Sequence, residues 1–261
     1  MLRPRITPCL LVQNGGLVKT IKFGNPKYVG DPINAVKIFN EKEVDEIIVV
    51  DIDASVHQNE PDYVLIKNLA AECRMPLCYG GGVKTVGQVE RIISLGVEKV
   101  AMSSAVIINP ELIAKAAAVV GSQSIVVVMD AKKVKSSEPY ELFIHNGRKA
   151  TGLNPVEFAK AAEHLGAGEL VINSIDRDGL MTGYDLQLAR RVREATNLPI
   201  TILGGAGSLK DIATLIELFG TIGAAAGSLF VFKGSFRAVL INYPSRSEKD
   251  ALVPRALQAI V

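Results

Sequence analysis

The sequence predicts an α/β chain folded as one (β/α)8 TIM barrel built from two half-barrel repeats, and three observations predict it. Eight short apolar runs, at 6–12, 47–52, 76–80, 99–104, 124–130, 169–174, 199–203 and 222–226, alternate with amphipathic or capped segments, the pattern of parallel strands each followed by a helix. A shift of 123 residues lays Asp51-Ile52-Asp53 on Ser174-Ile175-Asp176, Pro76 on Pro199, Gly81-Gly82 on Gly204-Gly205 and Ser104 on Gly227, so each half carries strand–helix units of one design. The chain has 261 residues, 48% of them hydrophobic, which suits a single compact domain of barrel size.

In chain order, strand one is followed by the stretch 13–31, whose four glycines suit a mobile lid over the strand C-terminal ends. Asp31-Pro32, Asn109-Pro110 and Asn154-Pro155 each set a capping side chain before a proline fit for the first helical turn, and Gly121 closes the helix begun at Asn109. Ile66, Leu69, Ala70 and Cys73 fall on one helical face, as do Phe158, Ala161, Ala162 and Leu165. Residues 131–152 interrupt the alternation and predict a β-hairpin inserted after strand five, and 244–261 form a C-terminal tail.

Charge and composition exclude several classes. With 29 Lys+Arg against 27 Asp+Glu, dispersed along the chain, no long-range field exists of the kind a non-specific nucleic-acid binder relies on. The apolar runs are far shorter than the roughly 18–20 residues a bilayer-spanning helix needs, and the first residues lack a long apolar targeting core. A cytoplasmic protein acting on small molecules or protein partners is the expectation. Cys9, Cys73 and Cys78 lie in apolar segments without metal-ligand spacing, so they read as reduced core residues, with no metal or cofactor expected.

In such a barrel the chemistry sits at the C-terminal ends of the strands. Gly81-Gly82 with Ser103-Ser104, and by the repeat Gly204-Gly205 with Gly227-Ser228, end strands there. They read either as tight turns or as two cradles of backbone N–H groups for a ligand with a phosphate at each end. Of the carboxylates Asp51, Asp53, Asp130, Asp176 and Asp178, Asp130 is the candidate acid–base group because it follows the run IVVVM; Asp51 and Asp176 read more simply as loop anchors. Lys19 in the lid either neutralises a phosphate or is solvated. At the opposite face Arg5, Glu46, Lys99 and Glu169 stand at the starts of strands one, two, four and six. They form either a salt-bridged ring closing the barrel floor or a gate admitting a small neutral molecule to its axis.

The ordered strings PCLLVQNGGLVKT, VVDIDAS, GGGVKTV, GSQSIVVVMDAK, GRKATG, SIDRDG, TGYD and GGAGSL, spread over residues 1–235, resemble the cyclase subunit of imidazole glycerol phosphate synthase, the HisF family. The resemblance implies a barrel that works with a separate glutaminase subunit, HisH-like, of the histidine pathway. Ammonia passes up the barrel to a bis-phosphorylated aminoimidazole carboxamide ribonucleotide, the phosphorylated small molecule bound at the top. It implies Arg5, Glu46, Lys99 and Glu169 as the ammonia gate, Glu98 at the glutaminase interface, Asp130 as one catalytic aspartate, Lys19 as the lid lysine, and Gly81, Gly82, Ser103, Ser104, Gly204, Gly205, Gly227 and Ser228 around the phosphates.

The second catalytic aspartate of that family, at the end of strand one, is replaced by Leu11. Ser103, Asn173, Leu180 and Leu203 also depart from the family pattern, and the apolar replacements Leu11, Leu180 and Leu203 are expected to line the space between the phosphate turns. The resemblance therefore implies a paralogue that still docks a glutaminase and conducts ammonia, but serves another acceptor held by a third, sugar-modifying protein. Its context is the conversion of acetamido to acetamidino groups on lipopolysaccharide sugars. An ordinary cyclase tolerating Leu11 is the alternative; a phosphate-binding scaffold without ammonia transfer is disfavoured by the complete set of floor charges.

Overall fold

A computed structural model of the protein describes residues 3–135, 139–234 and 236–253. Its barrel strands are β1 (Arg5–Gln13), β2 (Ile47–Asp51), β3 (Leu77–Gly80), β4 (Lys99–Met102), β5 (Ile125–Lys133), β6 (Glu169–Ser174), β7 (Ile200–Leu203) and β8 (Gly223–Ala226). Neighbours in sequence pair in parallel, β1 pairs with β8, and β5 pairs with β6 from Glu169↔Val126 to Ser174↔Ala131, so the cylinder closes. The helices α1 (Pro32–Glu41), α2 (Tyr63–Glu72), α3 (Val86–Ser94), α4 (Glu111–Val120), α5 (Pro155–His164), α6 (Leu186–Arg193) and α7 (Leu209–Phe219) lie between successive strands.

Strand alternation divides the apolar residues into two layers. Leu10, Ile47, Tyr79, Val127 and Leu170 face outward to the helices, whose buried faces include Val36 and Phe39 on α1 and Leu215 and Ile216 on α7. Complete burial of a side chain such as Phe39 contributes about 1.5–3 kcal/mol. Cys9, Ile48, Cys78, Ala101, Val126 and Val171 face inward and fill the bore, with Leu11, Val50, Val128 and Leu203 packed on them.

The repeat extends to details the sequence reading did not reach. Thr85 and Ser208, 123 positions apart, begin α3 and α7, and each forms a capping box, with Gln88 and with Asp211; that reciprocal bonding satisfies two orphan N–H groups at each start. A Cβ built on Gly81 would stand 2.6 Å from the Asp51 carbonyl oxygen, and one on Gly204 would stand 2.7 Å from that of Ser174, with both glycines at positive φ. These turns admit glycine alone.

Two expectations are corrected, and residues 13–31 take a definite form. Gly16–Ile21 runs antiparallel to β1 and Gly24–Gly30 pairs with it in turn, because Leu17 and Val18 bury themselves and draw the segment into the sheet. Asn109 makes no side-chain cap; α4 starts from Pro110, and Asn109 meets Leu112 through its backbone carbonyl. The insertion at 131–152 is a hairpin, but it grows out of β5 itself, whose Asp130–Lys133 pairs with Tyr140–Phe143 before Lys149–Ala150 adds a third strand; residues 136–138 lie outside the described residues. Of the tail, Arg246–Leu252 is a helix whose Lys249 pairs with Asp45 at 2.6 Å, and 254–261 lie outside the described residues.

Candidate functional site

A cavity of about 420 Å³ opens at the C-terminal ends of the strands, lined among others by Leu11, Lys19, Gly81, Asp130, Asn173 and Gly204. Its size is that of a small-molecule pocket. Asp130 ends the apolar run of β5 and reaches into it. Asn173 Nδ2 donates to Asp130 Oδ1 at 3.0 Å, and Ser103 Oγ donates to Oδ2 at 3.3 Å. Burial pushes the Asp130 carboxyl up to about 6; the two donors pull it back and the nearby Asp178 charge adds to the rise. Such a carboxyl exchanges protons near neutral pH.

The other carboxylates of this face are engaged in holding loops. Asp51 accepts from the Asp53 and Ala54 N–H groups, Asp53 from Gln13 Nε2, and Asp176 from the Lys133 N–H. Asp178 accepts from Thr20 Oγ1 at 2.7 Å and from the Phe23 N–H at 3.1 Å, which ties the loop after β6 to the hairpin after β1. That latch was not foreseen; nothing in the local sequence around Asp178 points to a partner 158 residues away.

Lys19 sits on the first strand of that hairpin and is buried, not solvated. Its Nζ donates to the Cys9 carbonyl oxygen at 2.6 Å and lies where a Cβ on residue 227 would stand 2.6 Å away, so the ammonium fits because position 227 is glycine. Burial holds the Lys19 amine below its ordinary value, against the pull of Cys9 and Asp178. Gly227-Ser228 and the repeat-related Ser103-Ser104 each begin a short helix with no side-chain cap, unlike α3 and α7. Ser103 turns to Asp130, and Ser104 Oγ accepts from the His145 N–H at 3.0 Å. Leu11 and Leu203 line the cavity as expected; Leu180 does not, and Met181 of the same loop takes that position.

At the other end of the bore the four floor residues meet. Arg5 pairs with Glu46 at 2.9 Å and Glu169 at 2.6 Å, and Lys99 with the same two at 2.7 and 2.8 Å; Thr201 Oγ1 also donates to Glu169 at 2.6 Å. Burial opposes ionisation of Glu169, yet Arg5 and Lys99 hold it below the ordinary carboxylate value. Charges alternate around the ring, and above them, apart from the buried hydroxyls of Thr7 and Thr201, apolar side chains line the bore up to Leu11 and Leu203. Glu98, beside this face, is exposed and accepts from the Leu77 N–H at 2.7 Å. Cys9 and Cys78 are buried free thiols, Cys73 a half-buried one. Among the described residues no cluster of metal-ligating side chains occurs and no helix is long and apolar enough to cross a membrane.

Residues 5–237 match the family described as histidine biosynthesis protein. A protein of Leptospira interrogans, provisionally named imidazole glycerol phosphate synthase subunit HisF, is 57% identical over 97% of this chain and 99% of its own length. A Vibrio vulnificus protein, provisionally named subunit hisF3 of the same synthase, is 57% identical over 95% of this chain and 96% of its own. The imidazole glycerol phosphate synthase subunit HisF of Lactococcus lactis subsp. cremoris is 44% identical over 88% of this chain and 89% of its own. With its barrel closed, its repeat visible in the turns and its length shared almost entirely with these relatives, the chain belongs to the histidine biosynthesis protein family, as a HisF-like member.

Proposed function

We propose that this chain is the barrel subunit of a glutamine-dependent amidotransferase: it receives ammonia from a HisH-like glutaminase at its N-terminal face, conducts it through the bore, and passes it to an acceptor other than the histidine-pathway substrate. The observation that carries the reading is the contrast of Leu11 in the cavity of Asp130 with a floor ring in which every charge has two partners. An apolar bore favours neutral ammonia over water and ammonium, since an ion there loses its hydration without compensation. At the top, Asp130 moves protons, while Lys19 beside Gly227 and the turns at Gly81-Gly82 and Gly204-Gly205 offer a positive charge and N–H groups to phosphates. Leu11 neither donates nor accepts a proton, which removes one acid–base partner of the cyclisation.

The acceptor in this reading is carried by a third, sugar-modifying protein, in the acetamido-to-acetamidino chemistry of lipopolysaccharide sugars. A second reading, an authentic cyclase of histidine biosynthesis, is favoured by the name of the Lactococcus relative. Mixing the chain with a class I glutaminase and mapping crosslinks tests the partner. A 1:1 complex joined through the surface around Glu98 and Arg5 is expected, and crosslinks confined to the 131–152 hairpin contradict the docking geometry.

A further inference from the structure

Beside Asp130, one buried polar atom at the mouth has no partner. Asn173 is 7% exposed, and its Oδ1 accepts no hydrogen bond within the described residues. The donation of Nδ2 to Asp130 fixes which way the amide points, and Oδ1 faces the Gly204 turn, where a Cβ would come within 3.1 Å of it. Among the described residues the Asp130 carboxylate next to it is bonded only by the neutral donors Asn173 and Ser103, so oxygen lone pairs remain open on all three side chains. Lys19, the buried cation in the same cavity, donates to the Cys9 carbonyl. The other unpartnered atom inside the bore is Thr7 Oγ1, which shares the inward face of β1 with Cys9 and Arg5 by strand alternation.

We infer that Asn173 Oδ1, the Asp130 carboxylate and Ser103 Oγ hold an ammonium ion at the exit of the bore. The inference rests on the ammonia-conducting reading and adds a waiting site to it. A small cation with several N–H donors is what these groups lack: it supplies hydrogen bonds to separate oxygens at once and countercharge to the carboxylate, whereas a water supplies no charge. Ammonia arriving as NH3 takes the proton of the Asp130 carboxyl, leaving carboxylate and ammonium. The same proton returns to the carboxylate when the nitrogen's lone pair attacks its acceptor, so Asp130 ends as it began. The site retains nitrogen at the mouth and keeps it from leaking to solvent before the acceptor is in place.

The test uses the isolated chain, titrated at neutral pH with ammonium chloride and, separately, with sodium, potassium and tetramethylammonium chloride, while NMR follows the Asp130 carboxyl carbon and the Asn173 side-chain amide. A saturable shift with ammonium, at least about tenfold weaker with the other three, is expected, because each lacks the charge-assisted N–H bonds. In Asn173→Leu the Asp130 response to ammonium should weaken by a similar factor. Equal responses to all four salts, or a potassium response matching ammonium, overturn the inference. If Asn173→Leu does not fold, the four-salt comparison on the unmodified chain decides alone. Because no glutaminase is present, absence of ammonium binding leaves the conduction reading standing, and absence of a glutaminase complex leaves the binding result standing.

Discussion

At the floor of the barrel four charged side chains share four ion pairs of 2.6–2.9 Å; at the mouth, Asp130 meets two neutral donors in a cavity it shares with Leu11 and Leu203, and the amide oxygen of Asn173, one of those donors, has no partner among the described residues. Both ends place ionisable groups away from water. The floor compensates each with opposite charge, which a folded chain can do from its own residues, and so it is complete as it stands. The mouth leaves its polar groups to be completed by something that binds. A self-satisfied cluster closes one end of the barrel, whereas an unsatisfied one is where a ligand is expected.

That contrast is broken or sharpened by mutation. Lys99→Met leaves the buried Glu46 and Glu169 with Arg5 as the one cation of the ring, and should cost about 3 kcal/mol in urea unfolding, the range for breaking a buried pair from one side. A loss below about 0.5 kcal/mol would put the ring among surface pairs. Gly81→Ala and Gly204→Ala should each cost about 1–3 kcal/mol, because an alanine must adopt a glycine-only turn against a carbonyl oxygen; thermal melts with unequal losses would show that the halves no longer share one design. Asp130→Asn removes a buried carboxylate with no opposite charge in contact among the described residues, and at neutral pH should stabilise the fold rather than cost it in the same assay, so the residue matters to the ligand more than to the fold.

The two ends also respond to pH with opposite sign. Asp130 is raised to about 6 by burial, above an unfolded value near 3.9. Its contribution to stability is therefore fully present below the unfolded value and is lost as pH rises through about 6. Glu169 is held below its ordinary value by Arg5 and Lys99, so its contribution is present above the unfolded value and lost as pH falls through the lowered one. Stability measured across pH in Asp130→Asn should lose the decline near 6 and keep the acid limb. The groups facing Asp130 in this comparison are Asn173, Ser103 and Asp178, with the Cys9 thiol close by.

All eight barrel strands were legible in the sequence, because parallel strands buried on both faces must be short apolar runs. The floor was legible too, as four charges each placed where an apolar run begins. The hairpin at 13–31 was not: glycines and lysines mask its alternation, and only tertiary pairing with β1 reveals that Lys19 is inside. Asn173 was noticed as a departure from the family pattern, but that its amide oxygen lacks a partner depends on the position of Asp130 on the neighbouring strand. Leu180 and Met181 differ by one residue in a loop, a register that no periodicity fixes. The capping boxes at Thr85 and Ser208 emerge only from the structure and show that the 123-residue repeat carries more than its glycines.

The proposed function requires a floor that serves ammonia and a mouth that does not serve the cyclisation. Turnover of the bis-phosphorylated histidine-pathway substrate by the purified chain, supplied with ammonium salt at alkaline pH so that no glutaminase is needed, measures it directly. With Leu11 in place of the second acid–base group, the rate is predicted to lie at least about 10²-fold below that of the cyclase from a relative such as the Lactococcus protein assayed alongside. A rate within about tenfold of that relative would contradict the account and make the chain an ordinary cyclase that tolerates leucine at position 11.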